Sequence, residues 1–302
     1  MRLVTFERGG AVRTGALLPD DRVLDLPAAD PAVPADMVGL LAAGPALLER
    51  LRALVAAAAA AATDPGAGLP LREVRLLAPV PNPGKILCIG YNYRGHQAVD
   101  DPPYPDVFAK TANTVIGPGA PILRPRASDE VDYEAELAVV IGSPAHEVSP
   151  DEALDHVAGY TLLNDVSARD WQRHGSQWVP GKSFDTFAPL GPAIVTRDEV
   201  PDPQRLTVEL AVNGEVTLRS STAAMVFGVA RLVSYLSQVM TLAPGDVVAT
   251  GTPQKLPEVL ARGERFLQAG DVVSITIGDL GTLTNPVADS PSRTAPEQGA
   301  RA

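Results

Sequence analysis

Between residues 84 and 288 the chain repeatedly produces short β-branched, apolar runs closed by turn formers. This pattern limits the fold more than any other feature. The runs are KILCIG (Lys85 to Gly90), LAVVIG (Leu137 to Gly142), YTLLNDV (Tyr160 to Val166), LTVELAVNG (Leu206 to Gly214), DVVAT (Asp246 to Thr250) and DVVSITIG (Asp271 to Gly278). Each has the length and residue preference of a strand. Two helical patterns accompany them: Pro150 to His156, and Thr222 to Met240 with Met225, Val229, Leu232, Val233 and Leu236 on one apolar face. Many strands with few helices predict a β-dominated α+β fold, antiparallel or mixed, and argue against a doubly wound sheet.

The first 80 residues read differently. Leu3, Val4 and Phe6, then Val12 to Leu18, alternate like edge strands around a Gly9-Gly10 turn. Met37 to Ala62 reads as one helix that closes in an alanine run, and Thr63-Asp64-Pro65-Gly66 ends it. The Pro-rich stretch Pro79 to Pro83 reads as a linker. The expected organisation is a small N-terminal α+β domain (1–80), a catalytic domain (81–289) and a disordered tail (290–302).

Charge narrows the partners. With 25 basic against 36 acidic side chains, a net charge of −11, the chain lacks the basic surface that nucleic acids and anionic membranes reward. No apolar run approaches the ~20 residues of a membrane span, and MRLVTFERGG has no apolar signal region. A soluble cytoplasmic protein is expected. The single Cys88 excludes an intramolecular disulfide and a multi-cysteine zinc site.

The most informative stretch is Asp132-Tyr133-Glu134-Ala135-Glu136-Leu137, leading into LAVVIG. In a strand Glu134 and Glu136 share a face, where they repel unless a cation or proton lies between them. Alone, Glu-x-Glu is a common pattern that reads first as a solvated edge with two surface glutamates. Asp165, closing the apolar run LLNDV, supplies a third acid that is costly to bury without a partner. Three oxygen ligands without a His or Cys cluster suit Mg²⁺ or Mn²⁺ rather than zinc. Arg169 and Gln172, three apart, fall on one side of a helical turn, with a fork for a carboxylate and an amide for a carbonyl. Lys182, in GKSFD, reads on its own as a solvated lysine. His96 follows the KILCIG strand, where a general base is plausible. Thr250-Gly251-Thr252-Pro253 offers hydroxyls and backbone N–H groups in a tight turn.

Together these pieces resemble the fumarylacetoacetate hydrolase family. The resemblance rests on GYNYRGH, FAK (Phe108 to Lys110), IGPG, DYEAELAVVIG, GYTLLNDVSARD, GKSFDTFAPLGP, NGE, LAPGDVVATGTP and FLQAGDVV, in order over most of residues 84–288. It implies a mixed β-sandwich roll behind a small N-terminal domain, commonly in homodimers. It places Glu134, Glu136 and Asp165 at the positions of metal carboxylates, usually for Mg²⁺, with Mn²⁺ or Ca²⁺ as alternatives. Arg169, Gln172 and Lys182 match positions that hold a substrate's carboxylate and oxo groups. Thr252 matches a substrate-contacting threonine, and His96 the histidine that activates water in hydrolytic members.

Two departures stand out. Many relatives carry His-x-x-Glu, whereas this chain reads His96-Gln97-Ala98-Val99, leaving Asp100 or Asp101 as substitute partners; and Gln254-Lys255-Leu256 replaces a typical glycine-containing segment. The implied activity is metal-dependent hydrolysis of a C–C bond in a β-dicarbonyl acid, such as an acylpyruvate, through a metal-bound enolate. Its rivals are decarboxylation of an oxaloacetate-like acid, hydration or isomerisation of a 2-oxo acid on the same ion, and a non-catalytic metabolite-binding role.

Overall fold

One 12-stranded mixed sheet runs through both segments of the chain in the computed structural model, which describes residues 1–61, 68–95 and 101–294. Its central path is Leu69–Pro70, Arg22–Asp25, Ala11–Leu18, Arg2–Arg8, Ala188–Thr196, Val157–Asn164, Ala135–Ile141, Val247–Ala249, Ile86–Gly90 and Asp106–Lys110. A second, five-stranded sheet orders Glu215–Ser221, Thr207–Val212, Val272–Ile277, Thr282–Asp289 and Ile122–Arg124. The fold is strand-dominated α+β, as the runs of β-branched residues predict.

The main core lies between these sheets. Leu137, Val139, Tyr160 and Leu162 of the large sheet join Val208, Leu210, Ile275 and Leu283 of the smaller one, all fully buried or nearly so. Each such aliphatic side chain contributes about 1.5–3 kcal/mol by leaving water. The strands Ala135–Ile141 and Val157–Asn164 are buried along their whole length. They therefore read as continuous apolar runs rather than alternating ones.

The N-terminal segment extends the same sheet instead of standing beside it. Arg2 and Leu3 pair with Val195 and Ile194, and the Gly9-Gly10 turn, with both residues at positive φ, joins the first two strands as expected. Leu3, Met37, Leu40 and Leu51 share a core with Val140, Ala158 and Ile194.

Three helical expectations need correction. Met37 to Ala62 is broken into Met37–Ala42 and Pro45–Ala60, because Gly44 takes φ +84° and Pro45 has no N–H to continue the first helix. Thr222 to Met240 contributes α-helix only over Val229–Ser237; Met225 ahead of it bridges to Tyr93. Pro150 to His156 retains only a 3₁₀ turn, Ala153–His156. At the C-terminus, Pro291–Thr294 forms a helical turn held by Arg293, which donates to the Pro125 and Ser128 carbonyls and pairs with Asp129. The tail expected from residue 290 therefore begins with ordered structure, and 295–302 lie outside the described residues. No helix among the described residues is long and apolar enough to cross a membrane.

Candidate active site and metal centre

Two central strands bring the acids together. Ala135 pairs with Asn164 in antiparallel register, so the residue before one strand and the residue after the other become neighbours. Those residues are Glu134 and Asp165. The Asp165 N–H donates to the Glu134 carbonyl at 3.0 Å, and the Glu134 N–H donates to Asn164 Oδ1 at 3.1 Å. Glu136 lies within Ala135–Ile141, whereas Glu134 occupies the irregular link after Val131–Asp132. The expectation of both glutamates inside one strand is thus corrected, yet their side chains still converge. One carboxylate oxygen from each of Glu134, Glu136 and Asp165 lies within 4.8 Å of the others, and all three residues are buried.

Buried acids so close require cations. Lys182 Nζ donates to Glu134 Oε2 at 2.8 Å and Asp165 Oδ2 at 2.6 Å, and only 1% of its side chain is exposed. Lys110 Nζ donates to Asp165 Oδ1 at 2.6 Å and to the Val166 carbonyl at 3.0 Å. Arg169 contacts Glu134 Oε1 at 2.6 Å, donates twice to Asp132 Oδ2, and hands another N–H to Gln172 Oε1 at 2.9 Å. Lys255 reaches the other oxygen of Asp132 at 2.6 Å.

Local sequence explains these positions. Lys182 ends the short helix Val179–Lys182, and Gly181 lets it pack on the backbone of Gln172, where a Cβ would come within 2.5 Å of the Gln172 nitrogen. The helix Arg169–Gln172 presents Arg169 and Gln172 on one side, as their spacing predicts. Gly251 turns at φ +94° so that its N–H donates to Glu136 Oε2 at 2.8 Å; a Cβ there would lie 2.8 Å from the Ile89 carbonyl.

The site opens into a cavity of about 790 Å³ lined by Glu134, Glu136, Arg169, Gln172, Lys182 and Thr252. An aromatic wall faces them. Trp178 meets Tyr91 and Phe108 edge-on, with centroids 5.4 and 5.2 Å away. His96 lies outside the described residues, as does Asp100. Asp101, the other substitute partner, pairs with Arg94 at 3.6 Å. Lys110 and Asp132 belong to the site without any local sign of a role in the sequence. Their signal was position alone: Lys110 closes the FAK run, and Asp132 opens DYEAE.

The donor set tests the site for an ion. Glu136 meets one backbone N–H and, among the described residues, no ammonium or guanidinium. Three converging carboxylates, one of them without a cation, fit a hard divalent ion.

The two glutamates titrate in opposite directions. Burial, then Asp165 and Glu134, lifts Glu136 well above the usual carboxylate range. Burial also opposes the charge of Glu134, but Lys182 and Arg169 together outweigh it and hold Glu134 below that range. A raised carboxyl stabilises the fold below its unfolded pKa and loses that contribution as pH rises through the folded value; a lowered one loses it as pH falls. In metal-free protein near pH 8, Glu136→Gln is expected to raise the unfolding free energy by about 1 kcal/mol. Glu134→Gln is expected to lower it by about 3–5 kcal/mol, because it disrupts buried ion pairs. Urea unfolding at pH 6 and pH 8 checks both signs.

Residues 85–288 match the family described as "Fumarylacetoacetate (FAA) hydrolase C-terminal". The chain belongs to the fumarylacetoacetate hydrolase family. It is 44% identical over 296 residues to oxaloacetate tautomerase fahd2, mitochondrial, from Xenopus laevis, covering 95% of this chain and 90% of that one. Among solved structures, maleylpyruvate hydrolase from Sphingobium sp. SYK-6, in complex with manganese(II) ion and pyruvate, is 33% identical. It has a TM-score of 0.77 and covers 96% of this chain and all of its own. The 5-carboxymethyl-2-hydroxymuconate delta-isomerase from Mycobacterium smegmatis is 36% identical at a TM-score of 0.75, covering 96% and 99%. The family relatives are enzymes of several reaction types. The cytoplasmic expectation is withdrawn, because the Xenopus relative and its bovine and human counterparts are named as mitochondrial proteins.

Proposed function

We infer that this family member enolises a 2-oxo acid with a divalent cation, Mg²⁺ or Mn²⁺, held by Glu134, Glu136 and Asp165. The reaction is keto–enol tautomerisation of an oxaloacetate-like substrate. The observation that carries this reading is the convergence of three buried carboxylates beside Lys182 and Arg169 on one cavity wall. A bound ion supplies Lewis-acid polarisation of the substrate's oxo group.

The rest falls to the chain. Arg169 and Gln172, already joined by a hydrogen bond, orient the substrate carboxylate, and Thr252 lines its approach. Lys182 faces the oxygen on which negative charge grows. Burial works against its charge, but Asp165 and Glu134 together more than offset that and raise its pKa, so it stays an ammonium. His96 takes the proton from C3, and the enolate oxygen takes one up. No C–C bond breaks and no water attacks. Two points support this over the hydrolytic reading: Val99 stands where the family resemblance puts an acid to orient the histidine, and relatives at 44–45% identity are named oxaloacetate tautomerases.

Hydrolytic cleavage of an acylpyruvate is the second reading, favoured by the likeness to maleylpyruvate hydrolase. There His96 would take its proton from water. The test follows the ultraviolet absorbance of oxaloacetate enol with protein and Mg²⁺ or Mn²⁺. Faster decay of the enol without pyruvate release is expected, abolished by EDTA and restored by either ion. Pyruvate from acylpyruvate with no effect on the enol would establish hydrolysis; pyruvate from oxaloacetate would establish decarboxylation.

A further inference from the structure

The loop after Gly251 carries a cation that the enolising chemistry does not use. Lys255 lies between the strand Val247–Ala249 and the helix Pro257–Leu260, on the wall of the same cavity as Lys182 and Arg169. Three contacts fix its place. Its Nζ donates to Asp132 Oδ1 at 2.6 Å and sits 4.4 Å from the centroid of the Tyr133 ring, while the adjacent Leu256 N–H donates to the Thr217 carbonyl at 2.9 Å. The side chain is 21% exposed, so this ammonium is preorganised yet open to the cavity.

Donor accounting separates Lys255 from the three cations that hold the acid cluster. An ammonium has three N–H donors. Lys182 commits two to Glu134 and Asp165, and Lys110 commits two to Asp165 and Val166 away from the cavity wall. Arg169 is divided among Asp132, Glu134 and Gln172. Lys255 commits one, to an acid that Arg169 already shares. It keeps two donors for a ligand.

We propose that Lys255 is the residue that recognises the second, distal carboxylate of the oxaloacetate-like substrate, an inference that rests on the enolising site described above. One carboxylate and the oxo group are held at the ion, Arg169 and Gln172. The far carboxylate accepts from the spare donors of Lys255.

The experiment compares oxaloacetate with its 4-methyl monoester, which keeps the 2-oxo acid and loses the distal charge. Wild-type protein should favour the diacid. Lys255→Met should raise KM for oxaloacetate about 10- to 100-fold, the effect of losing one charge-assisted hydrogen bond, and change KM for the monoester less than about threefold. Lys255→Arg should restore much of the preference. Calorimetric binding of oxalate with Mn²⁺ serves as the control, since oxalate reaches only the ion. If K255M binds oxalate normally and shifts both substrates by the same factor, or if wild-type protein does not distinguish them, the distal clamp is wrong while the enolising site stands. If wild-type protein binds no oxalate and turns over neither substrate, the enolising reading fails and the clamp fails with it.

Discussion

Replacing Asp165 with asparagine is expected to lower turnover by at least about 10³-fold and to cost about 3–5 kcal/mol of folding stability. Both effects come from one side chain. Asp165 Oδ1 and Oδ2 accept from Lys110 and Lys182 respectively, and among the described residues Asp165 is the only acid that pairs with Lys110. Burial already lowers the Lys110 pKa, with Asp165 opposing that and Lys182 adding to it. Without Asp165 the Lys110 ammonium is enclosed without an acid and sheds its proton or unfolds its surroundings. Urea unfolding measures the cost, and a second substitution separates the causes. Asp165→Asn combined with Lys110→Met should be more stable than Asp165→Asn alone, because the isolated cation is gone, but no more active. A single variant as stable as wild type would show that the pair contributes little.

Lys182→Met is expected to reduce kcat by about 10³-fold while the protein keeps, or strengthens, its affinity for a divalent ion. Lys182 Nζ occupies the angle between Glu134 Oε2 and Asp165 Oδ2, two acids of the proposed ligand set. Its removal leaves the acid cluster more negative, so electrostatic attraction for the ion rises as its catalytic contribution disappears. Arginine should not substitute. Its planar fork is longer and cannot sit as a compact point charge beneath Phe108, whose ring centroid lies 5.0 Å from Nζ. Calorimetry with Mn²⁺ and steady-state rates on oxaloacetate separate the two effects; an unchanged kcat would remove Lys182 from the chemistry.

How much of this was legible depended on whether a residue's partner was local. Glu134, Glu136 and Asp165 could be singled out because acids beside apolar strands are expensive wherever they fold. Their convergence was not readable, since it depends on the register of Ala135 with Asn164. Arg169 and Gln172 stood at helical spacing and meet through a direct hydrogen bond. Lys110 and Asp132 had no such local sign. Lys110 lies on an edge strand, 55 residues before its acid, and Asp132 matters through its contacts with Arg169 and Lys255, distant in sequence. Helix ends failed for a related reason. The apolar spacing of Met37 to Ala62 continues across Gly44-Pro45, while the backbone does not.

The shared sheet has a consequence for cutting the chain. The strand Ala188–Thr196 presents one flank to Val157–Asn164 and the other to Arg2 and Leu3. A fragment starting near residue 81 would lose that cover, leaving bare amides and carbonyls and uncovering Val140, Ala158 and Ile194. An uncapped apolar flank of this kind recruits other chains. The first eighty residues therefore act as a guard against self-association, and a shortened product would be expected to precipitate before its chemistry could be assayed.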